Sequence, residues 1–306
     1  MIHVNCEHCG ATLFEEARFC SHCGRPVALR VEAPLAERLA AALGSDYAVL
    51  GELGRGGFAV VFSVRDHRLN RYLAVKVMRP ELFTAPVARE RFRREAELVA
   101  QLDHPNVLSV TFSGEAAGIS YFAMPRVHGE TLQRLLGREQ ALAIATAARV
   151  FKGLADGLAY AHERNVVHRD VKPANILVDK GGDPLLLDFG VAKGLSKDGS
   201  TLSFTGAVIG TPEYMSPEQA SGSREIDRRS DIYSLGVVGF EMLTGTLPFT
   251  GGSVMDIAQK KNSSVAPNVR RFREEIPAAF AESIARCLER DPACRWETAY
   301  QASRAV

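Results

Sequence analysis

The sequence predicts an α+β fold preceded by a small metal-binding unit. Cys-x-x-Cys-Gly occurs twice within the first 24 residues. Residues 47–77 contain apolar, strand-like segments joined by a glycine-rich turn, and residues 92–102 repeat apolar side chains at helical spacing. Strand segments followed by helical ones indicate the α+β class.

The composition is that of an ordinary folded protein. The chain has 306 residues, of which 46% are hydrophobic and 24% charged, a length that suits about two domains. A formal net charge of +1 gives no general attraction to nucleic acid or to acidic membranes. No apolar run reaches the roughly 18 residues of a membrane-spanning helix, and the first residues lack the pattern of a secretory signal. We therefore expect a cytoplasmic protein with no membrane segment and no nucleic-acid partner.

The first segment, residues 1–27, has the spacing of a zinc site. Each Cys-x-x-Cys turn points two sulfur atoms at one ion, and the glycine that follows permits the tight bend. Two turns supply four thiolates for a structural Zn²⁺, which would provide most of the folding energy of so short a unit. Coincidence and a redox role are less favoured, because the motif repeats and no βαβ pattern adjoins it. The segment resembles the short zinc ribbons of bacterial proteins, with the ligands Cys6, Cys9, Cys20 and Cys23.

The ribbon is expected to contact a regulatory protein. Its acidic and basic residues balance, so it lacks the basic patch of a nucleic-acid-binding module. After it, residues 28–46 are predicted as a linker and a short helix, since Leu35, Leu39 and Leu43 recur at helical spacing before the stop signal Gly44.

A glycine-rich turn follows the first predicted strand. Gly54, Gly56 and Gly57 lie in this turn, directly before a second apolar strand. Because glycine has no Cβ, the backbone N–H groups of such a turn can approach phosphate oxygens closely. The turn alone fits a phosphate-binding loop and a plain hairpin about equally well.

A lysine within the next apolar strand, residues 73–77, needs a partner. A buried charge is unfavourable unless it is paired, so Lys76 predicts an acidic residue nearby. Glu95 lies four residues before Val99 on the apolar face of the following helix, whereas Glu97 points to solvent. We therefore expect Lys76 to pair with Glu95.

Three further motifs follow in order along the chain. They are His168-Arg169-Asp170 with Lys172 and Asn175, then Asp188-Phe189-Gly190, then Ser216-Pro217-Glu218. Together with the glycine-rich turn and Lys76, they resemble the signature set of eukaryotic-like protein kinases. Residues 210–219 and the Gly-Gly-Phe sequence of the turn resemble the bacterial serine/threonine branch of that family. The resemblance covers residues 47–306. It implies the bilobal protein kinase fold, with a small β-rich N-lobe (about 47–124), a hinge (about 125–128) and a larger helical C-lobe (about 129–306).

The resemblance implies an enzyme that transfers the γ-phosphate of ATP to serine or threonine hydroxyls of protein substrates. Asp170 would accept the proton of the substrate hydroxyl, and Lys172 would lie near the γ-phosphate. Asn175 and Asp188 would bind Mg²⁺ or Mn²⁺ through oxygen atoms. The ATP-binding positions of the family correspond to Leu53, Gly54, Gly56, Ala59, Val61, Ala74, Lys76, Glu95, Met124, Pro125 and Val127.

Two positions depart from the family pattern at the nucleotide site. Ala59 stands where the third loop glycine is usual, and its methyl group is small enough for the backbone to approach phosphate. Pro125 follows Met124 at the hinge and has no N–H. The family uses only the carbonyl at that position, and Val127 would supply the N–H, so ATP binding is expected to survive.

A pseudokinase that acts as an ATP-responsive binding scaffold is the alternative. Pseudokinases usually lose the strand lysine, the catalytic aspartate or the metal-binding aspartate. Lys76, Asp170 and Asp188 are all present, which favours an active enzyme.

The family also implies structural positions in the larger lobe. Asp231 resembles the aspartate that braces the backbone of the catalytic loop from a buried helix. Glu218 would pair with Arg295 near the end of the chain.

Regulation by phosphorylation is a further hypothesis. Arg169 directly precedes the catalytic aspartate and needs an anionic partner. A phosphate on the segment 196–211 would add about −1.5 to −2 charges and could order that loop through Arg169. Thr205 is the first candidate for this autophosphorylation and Ser203 the second; the alternative is a solvated loop.

Overall fold

The computed structural model describes residues 33–57, 59–79, 97–189, 211–223 and 225–306, together with 4–5, 9, 12–13, 22–23 and 93. Near the amino terminus, strand β1 (Val4–Asn5) pairs with strand β2 (Thr12–Leu13) in an antiparallel manner. The rest of the described chain forms two lobes, one built on a larger sheet and one mainly helical.

The sheet of the first lobe has five antiparallel strands in the order β3-β4-β5-β7-β6. They are β3 (Tyr47–Arg55), β4 (Ala59–Asp66), β5 (Arg71–Met78), β6 (Phe112–Ala116) and β7 (Ile119–Pro125). Directly paired residues share a face of a sheet, since side chains alternate along each strand. Val61 pairs with Lys76 and Ala74 pairs with Met124, which places these four side chains on one face.

The opposite face of this sheet is apolar and is covered by helix α1 (Leu35–Leu43). Leu39 is 0% exposed and packs with Val60 and Phe62 in the same cluster. Arg38 fastens the helix to the turn after β6, where its Nη2 donates to the carbonyl of Gly118 at 2.8 Å. The predicted short helix is therefore part of the packed core of the first lobe.

The second lobe contains most of the helices and its own small sheet. The helices are α2 (Leu132–Glu139), α3 (Ile144–Glu163), α4 (Pro217–Ala220), α5 (Arg229–Thr244), α6 (Val254–Ser263), α7 (Ala278–Cys287) and α8 (Ala299–Arg304). Helix α5 is buried along most of its length, and Phe151 of α3 packs edge-on against Phe280 of α7 at 5.4 Å between ring centroids. In the described part of the chain, no helix has both the length and the apolar character to cross a membrane.

The small sheet places two loops side by side at the boundary between the lobes. Its strands are β8 (Gly129–Thr131), β9 (Ile176–Asp179) and β10 (Pro184–Leu186), in the order β10-β9-β8. The loop before β9 contains Asp170, and Asp188 follows β10. The backbone N–H of Leu187 donates to the carbonyl of Asn175 at 2.9 Å, so the two loops are joined directly.

Candidate active site

Asp170 lies at the centre of a group of polar side chains in the loop before β9. Lys172 Nζ lies 2.9 Å from Asp170 Oδ2. Asn175 Nδ2 donates to the same oxygen at 2.9 Å and to the backbone carbonyl of Asp170 at 2.9 Å. The side chains of Asp170 and Lys172 are each 18% exposed. The carboxylate is thus held by two donors and can still be reached from solvent.

The loop that carries Asp170 is anchored by a buried carboxylate in α5. Asp231 is 1% exposed, and its two oxygens accept the backbone N–H groups of His168 and Arg169, each at 2.7 Å. His162 Nε2 of α3 lies 2.9 Å from Asp231 Oδ2. Burial alone would raise the pKa of Asp231, but the hydrogen bonds from His162 and from the His168 backbone hold it below its usual value. Three donors therefore converge on one charged carboxylate.

His168 joins this loop to the chain around Asp188. The backbone N–H of Asp170 donates to His168 Nδ1 at 3.2 Å, so the ring proton is on Nε2, which donates to the carbonyl of Leu187 at 2.8 Å. The His168 ring is 0% exposed and packs against Phe189 at 4.5 Å between centroids. One tautomer of His168 is therefore selected by its two partners.

Lys76 and Asp188 form an ion pair where the two lobes meet. Lys76 Nζ lies 2.7 Å from Asp188 Oδ1, and the side chains are 16% and 42% exposed. Asp188 has a φ of 51° and Arg169 a φ of 64°. Non-glycine residues in this left-handed region cost of order 1–3 kcal/mol and persist where surrounding contacts fix them. Both residues flank the polar group around Asp170.

The sheet face that carries Lys76 is apolar on both sides of the lysine along the strand, at Met78 and at Ala74. Ala59 and Met124 are 7% and 9% exposed, and they pack with Met78 and Phe122 in one cluster. The N–H of Gly56 donates to the carbonyl of Ala59 at 2.8 Å, which closes the glycine-rich turn. The other predicted ATP-binding positions lie on this face or along its edge: Val61 and Ala74 on the face, Leu53 and Gly54 in β3, Pro125 at the end of β7, and Val127 two residues later.

Residues 211–219 contact the loop that carries Asp170. Ser216 and Gln219 form a reciprocal capping box at the start of α4. Gln219 Nε2 also donates to the backbone carbonyl of Arg169 at 3.0 Å. The peptide groups of Arg169 are therefore held on one side by Asp231 and on the other by Gln219.

Glu218 and Arg295 form a bidentate ion pair. Two guanidinium nitrogens of Arg295 lie 2.8 and 2.9 Å from the two carboxylate oxygens. Arg295 is 2% exposed and also donates to three backbone carbonyls. Burial alone would raise the pKa of Glu218, but Arg295 and the hydroxyl of Ser230 keep it below its usual value. This pair ties α4 to the segment before α8.

Several predicted site residues fall outside the described part of the chain: Glu95, Cys6, Cys20, Ser203 and Thr205. Of the predicted zinc ligands, Cys9 is exposed and Cys23 is half-buried. Among the described residues, which include two of those four cysteines, no cluster of three or more His, Cys, Asp or Glu side chains is arranged to hold a metal ion.

Three residues have none of the predicted roles although they hold the site or the chain beside it: His162, Gln219 and Lys261. The last of these donates to backbone carbonyls within residues 212–215. Gln219 had a signal in the sequence, because Ser at one position and Gln three residues later is the signature of a capping box. Lys261 had one as well, since it follows Ile257 by one helical turn and so lies on an apolar face. His162 had no comparable signal, because its partner is 69 residues away in the chain.

A comparison with known protein families shows which family this chain belongs to. Residues 47–304 match the family model described as the protein kinase domain. The chain is a member of the protein kinase family. The kinase fold, with a β-sheet N-lobe and a helical C-lobe, is thereby confirmed.

The kinase domain is similar to bacterial serine/threonine-protein kinases. It is 40% identical over 262 residues to PknB of Mycobacterium tuberculosis, covering 83% of this chain and 41% of that protein. It is 38% identical over 253 residues to PrkC of Bacillus subtilis, covering 83% and 39%. The crystal structure of the Mycobacterium tuberculosis PknI kinase domain matches with a TM-score of 0.65 and 28% identity, covering 85% of this chain and 95% of that one. The chain spans about two fifths of the length of these curated relatives.

Proposed function

We propose that this chain is an active serine/threonine protein kinase that transfers the γ-phosphate of ATP to protein hydroxyls. The observation that carries the proposal is the Asp170 carboxylate, which both Lys172 and Asn175 hold at 2.9 Å. The Lys76–Asp188 pair lies across the same cleft. The relatives PknB and PrkC are named as serine/threonine-protein kinases, which supports an active enzyme over a pseudokinase scaffold.

Each polar residue has a role that follows from its chemistry. Asp170 would accept the proton of the substrate hydroxyl and orient that hydroxyl for attack. Lys172, already beside this carboxylate, would stabilise negative charge on the transferred phosphoryl group. Lys76 would bind the α- and β-phosphates, with Glu95 as its predicted partner from the neighbouring helix.

The nucleotide would lie against the apolar sheet face. Adenine would contact Val61, Ala74 and Met124, which share that face. At the hinge, Pro125 would offer its carbonyl and Val127 its N–H. The Ala59 methyl group is packed within the sheet cluster, so it would not keep phosphate from the backbone of the glycine-rich turn.

Asn175 and Asp188 fit a divalent cation such as Mg²⁺ or Mn²⁺. Asn175 uses its amide nitrogen for both contacts with Asp170, so the amide oxygen points away from them and can serve as a ligand. The carboxylate of Asp188 is 42% exposed and supplies a second hard oxygen ligand. The cation would neutralise charge on the ATP phosphates.

Transfer of the γ-phosphate to a basic serine-containing peptide tests the proposed function. Asp170→Asn should lower kcat by about 10²–10⁴-fold, the usual contribution of a positioned general base. Asp183→Asn, which changes a 54% exposed carboxylate that pairs with Arg149 in the turn between β9 and β10, should leave kcat unchanged. Equal activity in the wild type and Asp170→Asn would refute the assignment of the base, and an inactive wild type would refute the kinase proposal itself.

We further propose that residues 1–27 form a zinc ribbon with the ligands Cys6, Cys9, Cys20 and Cys23. Their spacing supports this, and so does the antiparallel pairing of β1 with β2, which precede and follow the first Cys-x-x-Cys in the sequence. Elemental analysis should find about one zinc ion per chain, lost on Cys9→Ser with Cys23→Ser. Zinc at the same level in that double variant would contradict the site. A regulatory protein remains the partner that we propose for the ribbon.

Autophosphorylation of Thr205, or secondarily Ser203, is the regulation that we propose. The backbone of Arg169 is fixed on both sides by Asp231 and Gln219. Because this backbone is fixed, the Arg169 side chain starts from one position, and its guanidinium can bind a phosphate that comes within its reach. Mass spectrometry after incubation with ATP and Mg²⁺ should find phosphate between residues 196 and 211, and an unmodified segment would refute the idea.

A further inference from the structure

A buried lysine in α6 holds the chain that runs beside the catalytic loop. Lys261 is 1% exposed, and its Nζ donates to the backbone carbonyls of Pro212, Glu213 and Met215 at 2.8, 2.7 and 2.6 Å. An ammonium group has three N–H donors. All three are used on one stretch of four residues.

The surroundings of Lys261 show that these three hydrogen bonds are made in the protein interior and not at its surface. The side chain lies one helical turn from the buried Ile257, and its Nζ lies 5.5 Å from the ring centroid of Tyr233. Burial lowers the pKa of Lys261 to about 7, while the carboxylates of Glu213 and Glu218 act in the opposite direction. The three carbonyl acceptors also favour the ammonium form, because a neutral amine has only two N–H groups to donate.

The residues that Lys261 holds are connected to the catalytic loop within a few positions. Tyr214 is fixed from α5, where Ser234 Oγ donates to its carbonyl at 2.7 Å. Gln219, four residues after Met215, donates to the carbonyl of Arg169. Residues 212–215 are thus separated by only a few positions from the contact with the loop that carries Asp170, where the hydroxyl of a protein substrate would bind.

We propose that Lys261 is a positioning residue for the protein substrate: by fixing the carbonyls of residues 212–215, it shapes the surface that receives the substrate chain next to Asp170. This inference rests on the proposed kinase activity. Lys261 has no role in binding ATP, because the predicted ATP contacts lie on the first lobe and in the cleft between the lobes. The residue acts through the backbone of residues 212–215 and touches neither substrate.

Lys261→Met keeps an unbranched, apolar side chain of nearly the same length and removes the three donors. The KM for a basic serine-containing peptide should rise about tenfold, which corresponds to about 1.4 kcal/mol, while the KM for ATP stays within about twofold. Amide hydrogen exchange of residues 211–219 should become faster. Lys260→Met is the matched control, because Lys260 is 45% exposed on the same helix and carries the same charge; both measurements should match the wild type.

Other outcomes would overturn the proposal. An unchanged peptide KM with unchanged exchange means that Lys261 does not position the segment, and equal rises in the KM for peptide and ATP mean only general destabilisation. If Lys261→Met does not fold, Lys261→Arg is measured in the same way and the same rise in peptide KM is expected, since a planar guanidinium cannot meet three convergent carbonyls. If the wild type does not transfer phosphate, the proposed function fails, and the exchange experiment alone decides whether Lys261 restrains residues 211–219.

Discussion

Replacing Asp231 by Asn tests how the loop that carries Asp170 is anchored, because it changes the anchor and leaves the sequence of the loop unchanged. The carboxylate accepts three hydrogen bonds, from the backbone N–H groups of His168 and Arg169 and from His162 Nε2. An asparagine side chain has the same shape but only one acceptor oxygen. Whichever way its amide is turned, the NH₂ group faces at least one of these three donors.

The expected loss of stability follows from the number of hydrogen bonds that are weakened or lost. One buried donor without an acceptor costs about 1–3 kcal/mol, and each remaining bond loses about 1 kcal/mol when its acceptor is no longer charged. The free energy of unfolding should therefore fall by about 3–5 kcal/mol. For a domain of this size, 1 kcal/mol corresponds to about 2–4 °C in the melting temperature, so Tm should fall by about 6–20 °C.

Thermal and urea unfolding measure this loss, with phosphotransfer as a second readout. Asp103→Asn, which changes an exposed aspartate on a loop, should leave Tm within about 1–2 °C of the wild type. Asp231→Asn should also lower kcat, because Arg169 and Asp170 lose their fixed positions. A free energy of unfolding within about 1 kcal/mol of the wild type would show that the three bonds do not act as described.

Three further changes have defined outcomes. Leu39→Ala should destabilise the protein by about 2–5 kcal/mol in urea unfolding, because it empties a fully buried site between α1 and the sheet, whereas Leu50→Ala, at a 54% exposed site, should cost little. Glu218→Gln should cost about 3–5 kcal/mol at neutral pH, because it leaves a buried guanidinium without its anion. The folded-state pKa of Glu218 is lowered from 4.5, so the wild type keeps this stabilisation above that pH and loses it as the pH falls through the lowered pKa; the difference between the two proteins should shrink in acid. Gly129→Ala should destabilise by about 1–3 kcal/mol, because a Cβ would collide with the backbone of β9, whereas Gly137→Ala meets open space in α2 and should be neutral or stabilising.

The kinase fold was accessible from the sequence because the motifs that indicate it are local patterns, and the same motifs predict the reactive residues. The strand that contains Lys76, the helix Leu35–Leu43 and the order of the short motifs can be recognised without tertiary information. The order of those motifs predicted the kinase family, which the match over residues 47–304 confirmed.

The partners of buried charged groups were harder to predict from the sequence, because those partners depend on packing between distant segments of the chain. Helical phase predicted Glu95 as the partner of Lys76; Glu95 lies outside the described residues, and the structure places Asp188 at 2.7 Å from Lys76. Nothing local to His162 indicates that it meets Asp231. The resemblance implied both the pairing of Glu218 with Arg295 and the bracing role of Asp231, although neither follows from spacing.

Sequence by itself determined which chemical groups this protein has and the order in which they occur: the glycine-rich turn, Lys76, Asp170, Asn175 and Asp188. Hydrophobic periodicity and turn residues are local properties of the chain, so they can be read without a structure. Only the tertiary structure decided how those groups are held. His162, His168 and Lys261 each satisfy donors or acceptors on segments far away in sequence, since a buried polar group must find its partners wherever the fold brings them.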